Sequence, residues 1–191
     1  MLRSTYRLVN DASALLLDVP ALVRGFERRT PGALPALLGW IDRAEALLSG
    51  HRLPAAADLA GLRARILAPA FEDARRRGDL RRRQTAAAVA ALHDLQRTVQ
   101  DALEPFSAKL RQARDLARQL LMIVAQSGAV RYDPAADLAS MVERVWALCT
   151  GHDQLKPIAA QLRALLSADD IRLLLAEEID PRDFPLEMGV R

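Results

Sequence analysis

The chain has 191 residues, of which 51% are hydrophobic, 27% charged and 4% aromatic, a balance that suits one globular domain and excludes a disordered or fibrous chain. Its formal charge is +3 and its pI about 9.6, which is too small an excess to argue for nucleic acid by itself. Cys149 is the sole cysteine, so an intrachain disulfide is excluded and no redox compartment is indicated.

Alanine, leucine and arginine dominate, while β-branched and aromatic residues are scarce, so local propensity favours helix throughout. Only Lys109 and Lys156 are lysines; the arginine excess fits a GC-rich coding sequence better than a dedicated anion surface. The opening stretch is interrupted by Asn10, Asp11 and Asp18 and does not read as a signal peptide. The longest strongly apolar run, Leu120 to Ala125, is far below the roughly 20 residues needed to span a bilayer. A soluble, cytoplasmic protein is expected.

The first helical stripe is Leu8, Ala12, Leu15 and Leu16. Asp18 offers a cap for a second piece with Pro20 in its first turn; the alternative is one longer helix that passes the proline. After the break at residues 30–35, Leu37, Leu38, Ile41, Ala44, Leu47 and Leu48 recur at helical spacing, with Gly50 placed to end the helix. The pattern resumes with Leu59, Leu62 and Ile66, and Pro69 bends or restarts it.

The central region has an alternating four-and-three spacing at Ala88, Leu92, Leu95, Val99 and Ala102, continued by Leu110, Ala113, Leu116 or Ala117, Leu120 and Val124. Pro105 predicts either a kink here or a hairpin restarted at Ser107. Asp133 and Pro134 predict a helix start, followed by the face Leu138, Val142, Val145 and Cys149 up to Gly151. Leu155, Ile158, Leu162 and Leu165 form the next stripe, and Ser167 with Asp170 has capping-box spacing ahead of Ile171, Leu174 and Leu175. Residues 180–191 read as a tail docked by Phe184 and Leu186. The sum is an all-α, single-domain helical bundle of about six to eight helices, with a long kinked or hairpin central helix pair.

Candidate sites are few. Arg75, Arg76 and Arg77 lie before Gly78-Asp79, and Arg81, Arg82 and Arg83 after it. Gly78 reads as the end of one helix and Asp79 as the cap of the next. The latter three arginines then fall in a first turn, where positive charge is disfavoured. A solvated helix junction is the plain reading; an anion, an acidic protein or lipid surface, and nucleic acid are the functional ones. Interleaved Glu72, Asp73 and Asp79, and the lack of an aromatic residue in the cluster, weigh against nucleic acid.

The face Ala88, Leu92, Leu95 and Val99 is either core or a docking surface for a second copy or a partner helix. Cys149 and His152 make a single C-x-x-H, whereas structural zinc needs two such pairs, so no metal is expected. Glu-x-x-His, phosphate-loop and nucleophile-elbow motifs are absent from the sequence, and no cofactor is expected. The resulting expectation is a non-enzymatic interaction protein, an adaptor or assembly subunit that binds another protein or a second copy of itself. A helical nucleic-acid-associated protein using Arg75 to Arg83 is the alternative. An enzyme or small-ligand binder without a local motif comes third.

Overall fold

The computed structural model describes residues 3–68 and 77–186. Among the described residues there are seven α-helices and no β-strand, so the all-α expectation holds: α1 (Thr5–Glu27), α2 (Ala33–Gly50), α3 (Ala55–Leu67), α4 (Arg77–Ser127), α5 (Leu138–Gly151), α6 (Lys156–Leu165) and α7 (Ala168–Glu178). A 3₁₀ turn at Pro181–Asp183 follows. The chain forms two compact units, one of Leu8–Pro105 and one of the residues from Phe106 onward together with the chain start up to Arg7.

In the Leu8–Pro105 unit, α1 is a single helix through Pro20, so Asp18 is not a cap. A helical proline opens the turn before it. Trp40, 1% exposed, donates its indole N–H from α2 to the carbonyl of Leu15 at 2.7 Å, in the stretch of α1 just before Pro20. Trp40 is thus a core residue whose one polar atom is satisfied. The α2 stripe is buried as its spacing predicts, at Leu37, Ile41, Ala44 and Leu48, and α2 packs on α3.

Helices α1 and α2 end in the same way, and glycine supplies neither end. Thr30 N–H donates to Gly25 O at 2.9 Å and Arg29 N–H to Phe26 O at 3.0 Å; Leu53 N–H donates to Leu48 O at 2.9 Å and Arg52 N–H to Ser49 O at 2.8 Å. These are Schellman closures, which require a left-handed residue just past the helix. Arg29 (φ 53°) and Arg52 (φ 58°) adopt that conformation. The expectation that Gly50 ends α2 from outside is corrected: Gly50 is the last helical residue.

Helix α4 is unbroken from Arg77 to Ser127 with Pro105 inside it, which removes the hairpin alternative. The proline lacks one donor, but the apolar stripe on either side keeps a helical period. Ala88, Leu95, Val99 and Leu103, then Leu110, Ala113, Ala117, Leu120 and Val124, are all buried. Gly128 (φ 62°) ends the helix in the left-handed conformation.

In the second unit, α5 begins at Leu138, with Asp137 as the N-cap accepting from Ser140 N–H at 2.8 Å. The expected start at Asp133-Pro134 is corrected. Asp133 instead accepts from Ala135 N–H at 2.8 Å and folds its own local turn, leaving the cap to the later aspartate. Helix α5 packs on α6 and α7 around Met141, Val145, Cys149, Leu162 and Leu174.

Ser167 caps α7 as expected, accepting from Asp170 N–H at 3.2 Å. The Asp170 carboxylate does not complete the capping box. It is 1% exposed and accepts from Ser4 Oγ and from Thr5 N–H at 2.9 Å, fixing the start of α1. Phe184 docks the tail, whereas Leu186 is exposed; the strand-like contact there is backbone only, Tyr132 N–H to Pro185 O at 2.8 Å. Among the described residues no helix is long and apolar enough to cross a membrane.

Candidate partner-binding site

The described half of the arginine cluster lies at the start of α4. Gly78 and Asp79 are helical there, so neither ends a helix nor caps one from outside. Asp79 occupies the first turn, where its charge suits the helix dipole, and Arg81, Arg82 and Arg83 fall one turn further in. Because the dipole effect fades within a turn, the penalty anticipated for these arginines is largely absent. Arg75 and Arg76 lie outside the described residues, as does the side chain of Arg77.

The fold brings Arg81 and Arg82 against a segment about fifty positions earlier in the chain. Arg81 donates from Nη2 to the carbonyl of Pro31 at 2.5 Å. Between the α1–α2 turn and the start of α4 lies an open cleft of about 720 Å³. Phe26, Pro31, Ala33 and Leu34 give it an apolar floor; Arg29, Arg81 and Arg82 stand around it, and Thr85 adds a hydroxyl. Phe26 and Leu34 are half-buried and Pro31 is exposed, so part of this floor meets solvent. Among the described residues no carboxylate lines the cleft.

The three guanidinium groups are held to different degrees. Arg29 has its backbone fixed by the Schellman closure of α1. Arg81 is tied to Pro31. Arg82 pairs with Asp79 at 3.1 Å in an exposed ion pair that exchanges readily for another carboxylate. Arg83, next along α4, is exposed.

A second surface cavity in the same unit, about 710 Å³, shows a contrasting chemistry. Asp58, Asp94 and Asp101 line it with Arg65 and Arg97, and Arg97 already pairs with Asp101 at 3.3 Å. With three carboxylates to two guanidinium groups, its balance is acidic.

The face expected as a possible helix-docking surface is occupied by the chain's own packing. Ala88 is 0% exposed, Leu95 and Val99 are 1% exposed, and Leu92 is half-buried. A seam rich in alanine lets backbones approach closely, which is why this face closes inward.

Elsewhere several ionisable groups pair with one another. Arg114 donates from Nη2 to Glu177 at 2.6 Å and sets Nε 2.6 Å from Glu178, while Arg118 Nε lies 2.6 Å from the other Glu178 oxygen. Tyr6 donates its hydroxyl to Glu177 at 3.1 Å. Burial works to lower the Arg114 pKa, but the hydrogen bond and charge of Glu177, with those of Glu178, outweigh it and raise it. Burial pushes the Cys149 thiol up to about 11, so it is not a poised nucleophile. His152 is exposed at the end of α5, and among the described residues no group of three or more His, Cys, Asp or Glu side chains is placed to hold a metal. His93 and Asp94 are both exposed, side by side on α4.

Sequence reasoning found two of the three cleft arginines and missed Arg29, Phe26 and Leu34. Their only signal was the proline-bearing break at residues 30–35, whose contact with α4 depends on tertiary packing. Comparison with protein-family models, curated proteins and solved structures gives no match for this chain.

Proposed function

We propose that the chain is a non-enzymatic helical interaction protein that presents the arginine-rimmed cleft of its Leu8–Pro105 unit to another protein. The carrying observation is the cleft itself: a partly wet apolar floor beside three guanidinium groups, one of them (Arg82) in an exposed pair with Asp79, built from two distant parts of the sequence. Partner recognition works through this combination, with an apolar centre that excludes water and a charged rim that orients and steers. The Arg81–Pro31 bond holds the two walls together and supports a surface formed before the partner arrives.

The reading is tested by photo-crosslinking in cells. A benzophenone side chain replacing Leu34 in the cleft is expected to give one discrete protein adduct, and the same group replacing the exposed Leu17 on α1 is expected to give none. No adduct at position 34, or an adduct to nucleic acid alone, overturns it.

A further inference from the structure

We infer that the occupant of this cleft is an acidic amphipathic segment of the partner protein, one that places an aliphatic or aromatic side chain on the floor and carboxylates on the arginines. The inference rests on the cleft being the interaction site and adds the chemistry of what enters it.

Charge selects the first property. Three arginines line the cleft, where the exposed Asp79 pairs with Arg82 from outside the lining, whereas three aspartates stand with two arginines in the cavity around Arg97. Guanidinium binds carboxylate through two parallel hydrogen bonds, and such charge-assisted pairs are roughly twice as strong as neutral ones. Arg81 is already oriented by Pro31 O, so little side-chain freedom remains to be lost on binding. Arg82 can exchange its exposed partner Asp79 for an incoming carboxylate at small cost.

The floor selects the second property. Phe26, Pro31, Ala33 and Leu34 offer apolar surface, which contributes about 25 cal/mol for each Å² removed from water. A ligand that is only anionic, such as a polyphosphate backbone, leaves that floor wet. The volume of about 720 Å³ falls in the range of sites that take a few side chains or one small ligand. It is a pocket for an anchor, not a track for a polymer. An acidic segment with apolar residues at helical spacing meets both demands.

The test is fluorescence polarisation with the full chain. The probe is a labelled peptide of about 15 residues, rich in glutamate, with leucine and phenylalanine at helical spacing. Three comparison ligands are the same peptide with those apolar residues changed to serine, polyglutamate of equal length, and a single-stranded oligonucleotide. The amphipathic peptide is expected to bind at least about tenfold more tightly than each of them. Arg81→Glu should weaken it by about tenfold or more, and Arg97→Glu in the other cavity should leave it unchanged. Arg81 is exposed on α4, so the variant keeps its fold and its circular dichroism.

Equal binding of polyglutamate overturns the apolar anchor, and tighter binding of the oligonucleotide overturns the inference as a whole. A protein crosslink from position 34 without affinity for the amphipathic peptide removes the chemistry proposed for the occupant while keeping the interaction reading. Failure of both removes both.

Discussion

Asp170 offers the sharpest test of how the Phe106-onward unit is held together. Its carboxylate is buried, accepts from Ser4 Oγ and from Thr5 N–H at 2.9 Å, and so ties the start of α1 to α7 across 165 positions. Each hydrogen bond to a charged acceptor contributes about 1.5–3 kcal/mol, part of which is offset by the cost of burying the carboxylate. Asp170→Ala leaves both donors without a partner and should destabilise the unit by about 2–4 kcal/mol. Asp170→Asn keeps one acceptor oxygen but turns an amide toward the second donor, and should cost about 1–2 kcal/mol. Urea titration gives the order wild type, then Asn, then Ala. Hydrogen exchange at Thr5 supplies the local readout, because its amide proton should lose protection in Asp170→Ala and keep most of it in Asp170→Asn, whose remaining oxygen still accepts from it. An Asp170→Ala midpoint corresponding to less than about 0.5 kcal/mol, with Thr5 still protected, would refute the tie.

Four further outcomes are expected. With its pKa near 11, Cys149 is thiolate in only about one molecule in a thousand at pH 8, so a thiol reagent should react at the rate of unfolding; rapid labelling of the native chain would contradict its burial. A thiol pKa raised by folding adds stability that is complete below about pH 9 and declines as pH climbs toward 11, which alkaline urea titrations of wild type against Cys149→Ala should show. Asp180 is held down to about 2 by hydrogen bonds from the Arg182 side chain and backbone, so the interaction is intact above about pH 4 and lost as pH falls through 2; a carboxyl NMR midpoint near 4 would contradict it. Arg52→Gly relieves a left-handed φ of 58° and should be neutral to stabilising by up to about 1 kcal/mol in thermal melts, whereas Arg52→Val should destabilise by more than that.

The helices were legible because leucine and alanine repeat at 3.6-residue spacing, and the buried residues Leu37, Ile41, Leu48, Val145 and Leu162 lie where that period puts them. The junctions were not, because capping is a local competition that periodicity does not record. Asp133 and Asp137 both had cap chemistry, and only the later one caps α5. Gly50 and Gly78 looked like terminators, but two arginines took the left-handed positions and Gly78 stayed helical. Pro105 marked a break that a long, well-buried helix absorbs. The cleft was half legible: Arg81 and Arg82 were visible as a cluster, while Arg29 joins them only through the Pro31 contact, which links residues with no sequence relation.

The claim that the cleft is the contact surface is tested most directly by amide NMR of the full chain titrated with the acidic amphipathic peptide. Saturable shifts concentrated at Phe26, Leu34, Arg81 and Thr85, with Leu17 and Met122 silent, are the predicted result. Shifts spread over α5 to α7, with none around Phe26 and Leu34, would contradict it.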